Sequence, residues 1–348
     1  MDTIILDMRD GIEENGIHRA GEILKSGGLV AFPTETVYGL GADALNAEAA
    51  AKIYQAKGRP SDNPLIVHIA DVEALDRIAA KIPEEARKLA KAFWPGPLTM
   101  IFQKTPTVPY GTTGGLDTVA VRMPDHEIAL ALIRSGGGYI AAPSANTSGR
   151  PSPTTAQHVA EDMNGRIDMI LDGGHAGIGV ESTIVDLSGE VPMILRPGYI
   201  NRAMLEQVIG PVEVDPTLLS ATAKGRPKAP GMRYKHYAPK ADMMIVEGEQ
   251  EAVIRKINEL VKEELSRGGR PGIIASDESR ARYHQGVIRS MGSRSDELSI
   301  SGHLYEVLRE FDTENVTKIF SEAFDTPDMG MAIMNRLMKA AGHQILQV

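Results

Sequence analysis

Apolar residues recur at helical spacing in several stretches of the first two hundred residues. In the first stretch Ile17, Ala20 and Leu24 share one face, and Gly27 ends the pattern. The spacing predicts helices at 11–26, 46–56, 71–79, 83–92, 125–134, 154–162 and 201–208.

Short apolar runs between these helices predict buried strands. They lie at 29–32, 65–69, within 94–102 after a Pro-Gly turn, and at 118–123, 139–142, 168–171, 182–187 and 193–196. Several of these strands are separated only by loops, so the order predicts an α/β domain with a twisted mixed sheet rather than a strictly doubly wound one.

The pattern stops at residues 209–240, where prolines and glycines replace the apolar period, and this composition is typical of a linker. It resumes with predicted strands at 243–246, 272–275, 287–290 and 317–320 and helices at 249–267, 302–311 and 330–341. We therefore predict domains at 1–208 and 241–348 joined by 209–240, the second being small and Rossmann-like. It has no GxGxxG turn after a strand, so nothing there indicates a dinucleotide.

Composition narrows the class of protein. With 42% hydrophobic and 24% charged residues the chain is typical of soluble globular proteins, and it has no cysteine, which excludes disulfides, thiolate metal sites and cysteine nucleophiles. No apolar run is long enough for a bilayer and no signal peptide is evident, so we expect a cytoplasmic protein without membrane contact. The net charge is −9, but residues 209–240 carry 6 basic and 2 acidic residues and form a basic island.

The strongest candidate for a binding loop is KGRPSDNPLIVH (57–68), which puts Lys57 and Arg59 between a helix end and a strand start. Arg122 and Arg196 also stand at predicted strand ends, beside polar loops that follow strands 29–32, 118–123, 139–142 and 193–196. If the carboxyl ends of these strands share one edge, four cations gather there and favour a ligand with several negative charges. A solvated basic turn and structural ion pairs remain alternative explanations.

Other signatures are missing or weak. There is no GxxxxGK[ST] loop, HExxH or GxSxG, and His68 and His175 are too isolated to indicate a metal site. Gly39 and Gly41 suggest a backbone that something approaches closely, and 112–115 (TTGG) is expected to be a flexible loop.

Seven motifs together carry a resemblance. KGRPSDNPLIVH, FPTETVYGLGADA, WPGPLTMIF, LDTVAVRMP, AAPSAN, DGGHAGIGVESTIVD and ILRPG, in this order, resemble the YrdC-type threonylcarbamoyl-AMP synthase family. The linker motif PGMRYKHYAP and the second domain resemble its two-domain branch. The resemblance implies a YrdC-like catalytic domain at 1–208, a basic linker acting as an active-site lid at 209–240, and a C-terminal Rossmann-like domain at 241–348.

The resemblance also implies a nucleotidyltransferase reaction. L-Threonine and bicarbonate or CO2 give an N-carboxy carbamate, which attacks the α-phosphate of ATP to give threonylcarbamoyl-AMP and pyrophosphate. A separate threonylcarbamoyl transferase then modifies tRNA, so any contact of this chain with tRNA is expected to be indirect. Mg²⁺ is expected with ATP, held mainly by phosphates and water rather than by a protein cage. We expect a monomer.

The residues that match the family's motifs fall into three sets. The catalytic set is Lys57, Arg59, Ser144 and Asn146. The ATP-binding set is Arg59, Asn63, Thr118, Ser144, Ser152, Arg196 and Tyr234. The threonine-binding set is Thr36, His68, Arg122, the backbone of Ala142, and Ser182.

Two other functions remain to be weighed. A module that binds double-stranded RNA, as a translation or ribosome factor, is disfavoured by the acidic charge and the 5% aromatic content. Carbamoyl transfer from carbamoyl phosphate, as in a related domain of hydrogenase-maturation proteins, is disfavoured because the chain lacks the acylphosphatase-like and zinc-finger segments of those proteins.

Overall fold

The structure is a computed structural model that describes residues 2–219, 229–230 and 236–348. It divides into two compact units. The first contains Met1–Ser148, Ser152–Gly177 and Glu181–Arg233, and the second contains Gly149–Pro151, Ile178–Val180 and Tyr234–Val348. The predicted domain limits, 1–208, 209–240 and 241–348, stay a prediction.

The first unit contains strands β1–β11 and helices α1–α7 within the described residues. The strands are β1 (Ile4–Asp7), β2 (Val30–Phe32), β3 (Gly39–Asp43), β4 (Ile66–His68), β5 (Leu98–Gln103), β6 (Thr118–Arg122), β7 (Ile140–Ala141), β8 (Met169–Asp172), β9 (Thr183–Asp186), β10 (Met193–Arg196) and β11 (Glu213–Val214). The helices are α1 (Glu14–Lys25), α2 (Ala47–Lys57), α3 (Leu75–Ile78), α4 (Glu84–Phe93), α5 (Glu127–Ser135), α6 (Ala156–Met163) and α7 (Arg202–Ile209).

These strands form one mixed sheet in the order β1-β8-β2-β3-β7-β4-β6-β5-β9-β10-β11. Strand β4 is parallel to β6 and antiparallel to β7, and β5 is antiparallel to β6 and parallel to β9. The predicted mixed sheet is therefore confirmed.

The two faces of this sheet differ in what covers them. Val67, Val121 and Met100 point into the main core with residues of α2, α4 and α6. On the opposite face α1 and α5 pack over Val30, Phe32 and neighbouring positions. Farther along that opposite face lies a small apolar cluster contributed by strands and by one linker residue. Its buried members are Ile66, Ile101, Ala120, Ile184, Leu195 and Ala229.

The second unit contains a five-stranded parallel sheet in the order β14-β13-β15-β12-β16. Its elements are β12 (Asp242–Glu247), α8 (Gln250–Ser266), β13 (Pro271–Ala275), β14 (Val287–Ser290), α9 (Glu297–Thr313), β15 (Lys318–Glu322), α10 (Gly330–Ala340) and β16 (Ile345–Gln347). The alternation of strands and helices in one parallel sheet confirms the predicted Rossmann-like architecture.

Of two loop expectations, the close approach to the glycine backbone was confirmed and the flexible loop at 112–115 was wrong. Residues 39–43 form strand β3, and a Cβ added at Gly41 would lie 2.9 Å from Ile140 Cγ2 and 3.0 Å from Phe32 Cε1. The backbone at that glycine is therefore closely approached, as expected, and the neighbours that approach it are core side chains. The segment 112–115 is anchored rather than loose, because Thr112 is buried and its hydroxyl donates to the Ala44 carbonyl at 2.7 Å.

Candidate functional site

The part of this face that holds the small apolar cluster carries polar side chains at both ends of β6. Successive side chains of a strand point to opposite faces, so Thr118, Ala120 and Arg122 share one face while Val119 and Val121 enter the main core. Ala120 is in register with Ile66 and Ile101 on the two neighbouring strands. The result is an apolar floor with a hydroxyl at one end and a guanidinium at the other.

The Arg122 end of this face is polar and closely packed. His68 and Thr99 are the register partners of Arg122 on β4 and β5, so all three side chains lie on the same face. Arg122 is buried, and its Nε donates to the Gly96 carbonyl at 3.4 Å. Its NH2 lies 2.6 Å from Oε2 of Glu35.

Ser182 and Arg196 extend this polar end across β9 and β10. The Ser182 and Thr99 hydroxyls are 2.8 Å apart. Arg196 donates through Nε to the Ser182 carbonyl at 3.0 Å and through NH2 to the Ser182 hydroxyl at 3.1 Å. Its NH1 lies 3.5 Å from the carbonyl of Pro230, a described linker residue.

Lys57 connects helix α2 to the loop after β7. This lysine is the last residue of α2 and is buried. Its Nζ donates to the carbonyl of Ser144 at 2.5 Å and to the carbonyl of Asn146. The Ser144 hydroxyl in turn donates to Oδ1 of Asn146 at 2.5 Å. Three of the four predicted catalytic residues therefore form one hydrogen-bonded group.

Arg59 is turned away from the helix by Gly58, which ends α2 in the left-handed conformation at φ 62°. A residue with a Cβ would be strained there. The Arg59 guanidinium donates to the carbonyls of Asn63 at 3.3 Å and Pro64 at 3.0 Å. Oδ1 of buried Asn63 has no hydrogen-bond partner within the described residues. The predicted ATP-binding pair Arg59 and Asn63 is thus in contact.

The remaining predicted residues have local partners. The buried Ser152 hydroxyl donates to Oε1 of Glu181 at 2.6 Å. The hydroxyls of Thr36 and Thr34 are 2.9 Å apart. The Ala142 amide donates to the Ile66 carbonyl at 2.9 Å, which joins the loop after β7 to β4. Tyr234 lies outside the described residues.

The expectation that the polar loops share one sheet edge was wrong. β7 is antiparallel to β4, with Val67 opposite Ala141, so the loop after β7 lies at the opposite end of β4 from His68 and Arg122. The loop after β2 starts at the same end as the β7 loop, because Phe32 pairs with Gly39. The residues of the candidate site therefore lie at both ends of short strands, across one face of the sheet, and not along a single edge of the sheet.

Comparison with known proteins follows the same division of the chain. A family model described as "Telomere recombination" and labelled Sua5_yciO_yrdC matches residues 22–198. The chain belongs to the Sua5/YciO/YrdC family. A second family model, "Threonylcarbamoyl-AMP synthase, C-terminal domain", matches residues 200–342. The Sua5-type two-domain organisation predicted from the motifs is confirmed.

Several Sua5 relatives match end to end. A threonylcarbamoyl-AMP synthase of Pyrococcus abyssi is 49% identical over 99% of this chain and 100% of its own length, and one of Bacillus subtilis is 48% identical over 98% of each. A crystal structure of P. abyssi Sua5 complexed with L-threonine matches with a TM-score of 0.95 at 48% identity, covering 99% of this chain and 100% of that one.

Three further side chains of this Sua5 family member were missed by sequence reasoning: Glu35, Thr99 and Glu181. Each contacts a predicted site residue, namely Arg122, Ser182 and Ser152 respectively. Glu35 and Glu181 stand inside motifs that had already been singled out, next to Thr36 and Ser182. A charged residue between predicted ligand contacts was the signal that could have identified them.

The described residues hold no group of three or more histidine, aspartate or glutamate side chains that could bind a metal ion. Among the described helices none has both the length and the apolar character required to cross a bilayer.

His68 is held neutral by its surroundings. The pKa of His68 is lowered from 6.5 to about 3, first by burial and then by the positive charge of Arg122, while hydrogen bonds to the backbone of Ile66 and Ile140 partly oppose the shift. Between those values the unfolded chain binds a proton that the folded protein does not. Stability should therefore be retained above pH 6.5 and lost as the pH falls towards 3.

We expect acidification through this window to lower the free energy of unfolding by up to about 1.4 kcal/mol per pH unit on account of His68. Urea unfolding at a series of pH values measures the slope. His68→Asn should flatten it, while His18→Asn, at an exposed position, should not. An unchanged slope in His68→Asn would contradict the depressed pKa.

Proposed function

We propose that the chain is an L-threonylcarbamoyladenylate synthase. It makes threonylcarbamoyl-AMP and pyrophosphate from L-threonine, bicarbonate or CO2, and ATP, for threonylcarbamoyladenosine modification of tRNA. The observation that carries the proposal is the end-to-end match to a Sua5 protein solved with L-threonine. The arrangement of cations and hydroxyls across one sheet face supports the proposed function independently of the similarity to known proteins.

Threonine is assigned to the Arg122 end of the face. The Arg122 guanidinium offers a planar fork for the substrate carboxylate, and Ser182 adds a hydroxyl within the same polar group. Neutral His68 and buried Thr36 offer hydrogen bonds to the substrate hydroxyl without adding charge. The backbone of Ala142, at the opposite end of the three-residue strand β4, is assigned to the same substrate.

ATP is assigned to Lys57, Arg59, Asn63, Thr118, Ser144, Ser152 and Arg196, with Tyr234 as an expected further contact. The carbamate oxygen attacks the α-phosphorus, the new P–O bond forms, and the bond to the β-phosphate oxygen breaks to release pyrophosphate. Adenylyl transfer depends mainly on positioning and on positive charge against the phosphates. The Lys57 ammonium, which is fixed by two carbonyls, supplies such a preorganised charge.

Magnesium enters as the Mg·ATP substrate. The ion is proposed to be held mainly by phosphates and water. Removal of Mg²⁺ with EDTA should abolish pyrophosphate release, and its return should restore it. The downstream partner is a threonylcarbamoyl transferase, and the protein is proposed to act as a cytoplasmic monomer.

The linker is proposed to act as a lid. Ala229 is buried in the apolar cluster on the site face, and the Pro230 carbonyl lies against Arg196. The contact with Arg196, a predicted ATP-binding residue, supports this role. A lid would protect the mixed anhydride of the product from water.

A chain that ends near residue 208 tests this role. We expect slower pyrophosphate release and more loss of the adenylate to hydrolysis, because the lid is missing. A pyrophosphate-release assay measures the rate of the reaction, and chromatography of the adenylate measures its hydrolysis. Circular dichroism checks that the shortened chain is folded. Unchanged release and no added hydrolysis would count against the lid.

The decisive assay for the function supplies ATP and labelled bicarbonate with and without L-threonine. We expect a labelled acyl-adenylate only when threonine is present. RNA binding with a steep salt dependence, together with no threonine-dependent ATP turnover, would instead favour an RNA-binding factor. Label transfer from carbamoyl phosphate would favour a carbamoyl transferase.

A further inference from the structure

The buried pair of Glu35 and Arg122 is incompletely satisfied. Arg122 NH2 and Glu35 Oε2 are 2.6 Å apart, which is an ion-pair distance, yet the contact lacks hydrogen-bond geometry. Both Glu35 oxygens and Arg122 NH2 are buried without a hydrogen-bond partner among the described residues. Nδ1 of His126 is also buried without a hydrogen-bond partner among the described residues. The negative charge of Glu35 is close enough to raise the pKa of the His126 ring, against the larger lowering by burial.

Polar atoms that are buried without a hydrogen bond are costly in a folded protein, because each has lost water and gained no hydrogen bond in return. The side chain of Arg122 is only 5% exposed and that of Glu35 only 14%. The arrangement is therefore explained best by a ligand that supplies the missing partners. That ligand must carry a negative group for Arg122 and a positive group for Glu35, and the two groups must lie close together.

An α-amino acid zwitterion has this charge pattern, because its ammonium and its carboxylate are attached to the same carbon. If the carboxylate takes the Arg122 fork, the ammonium comes to lie within reach of Glu35. Each charge then has an opposite neighbour and the net charge of the pocket does not change. Were Glu35 absent, the ammonium would be buried without a counter-charge, which is strongly unfavourable.

We propose that Glu35 is a catalytic residue that holds the threonine ammonium and accepts its proton. In the empty site Glu35 neutralises Arg122, and the substrate replaces this internal ion pair with two intermolecular ones. The inference rests on the proposed function and adds a residue to it.

The reaction requires this proton transfer, since an ammonium has no lone pair to attack carbon. One proton passes from the ammonium nitrogen to a Glu35 carboxylate oxygen, which leaves the neutral amine. The nitrogen lone pair then forms the N–C bond to CO2, and one C=O π pair moves to oxygen. Loss of a second proton from nitrogen to water gives the carbamate. A protonated, neutral Glu35 also avoids repelling the carbamate anion that has just formed.

The test compares L-threonine with (R)-3-hydroxybutyrate, which keeps the carboxylate and the hydroxyl and lacks the amine. Isothermal titration calorimetry without ATP measures both ligands on the full chain. We expect Glu35→Gln to weaken L-threonine binding about tenfold or more, because the ammonium loses its partner. Binding of 3-hydroxybutyrate should be at least as tight as in the wild type, because its carboxylate no longer has to displace Glu35 from Arg122. At saturating threonine, adenylate formation should fall about 10²-fold, as expected for a lost proton acceptor.

Two variants serve as controls. Glu35→Asp keeps a carboxylate and should recover part of the lost threonine affinity and part of the lost rate of adenylate formation. Glu127→Gln, at an exposed position in the first turn of α5, should behave as wild type. Equal weakening of the two ligands would overturn the proposal, because it would show that Glu35 acts only by orienting Arg122. Tighter threonine binding would overturn it too, by showing that Glu35 competes with the substrate carboxylate. If the wild-type chain makes no adenylate, the proposed function itself fails.

Discussion

Lys57→Ala should lower the turnover of threonylcarbamoyl-AMP synthesis by about 10²-fold or more. The loss of one preorganised charge or donor at a reacting centre typically has this size. The Lys57 Nζ is fixed by the carbonyls of Ser144 and Asn146, so its charge needs no reorganisation when negative charge develops on the phosphates. Alanine would remove the charge and leave two carbonyls without their donor.

Arg59→Ala should cause a loss of similar size with less effect on folding, since Arg59 is only half-buried and Lys57 is fully buried. Steady-state release of pyrophosphate measures turnover, and thermal melting separates misfolding from loss of catalysis. Lys52→Ala is the matched control, because Lys52 lies on the same helix, is exposed, and bonds only the Gly27 carbonyl among the contacts described. Wild-type rates in both Lys57→Ala and Arg59→Ala would remove the site assignment.

Arg122→Ala should weaken the apparent affinity for L-threonine by about 10²-fold and leave the affinity for ATP nearly unchanged. A buried arginine fork makes charge-assisted hydrogen bonds to a carboxylate, and losing such a pair costs a few kcal/mol. The same change leaves Glu35 buried without its counter-charge, so the variant should also be less stable.

Arg122→Lys separates these two effects. It keeps a positive charge for Glu35 and loses the planar fork, so stability should recover while threonine affinity stays low. Threonine titrations of adenylate formation at saturating ATP measure the affinity, and urea unfolding measures the stability. An unchanged apparent affinity for threonine in Arg122→Ala would exclude Arg122 as the carboxylate ligand.

Local signals in the sequence predicted most of the elements but not how they meet. Gly58 and Pro60 located the end of α2, and the alternation from Thr118 onward located β6. The contact of Lys57 with Asn146 joins residues 89 positions apart, and no periodicity encodes such a pairing. Only the resemblance to a family brought those two residues into one group.

The direction of β7 was the other feature that the sequence could not supply. This strand has two residues, Ile140 and Ala141, which read the same whether the strand runs parallel or antiparallel to its neighbours. Strand β3 was missed for a related reason, because GLGAD is rich in small residues and lacks the β-branched side chains that mark strands. Both errors led to the incorrect edge model of the site.

The two-sided use of β6 limits how this part of the gene can change. Val119 and Val121 fill the main core while Thr118 and Arg122 lie on the opposite face, which carries the candidate site, and the two sides alternate residue by residue. A single-codon insertion or deletion within the strand would exchange the sides, sending the guanidinium into the core and a valine to the face of the candidate site. Substitutions can therefore accumulate along this strand, whereas changes in its length should be eliminated by selection.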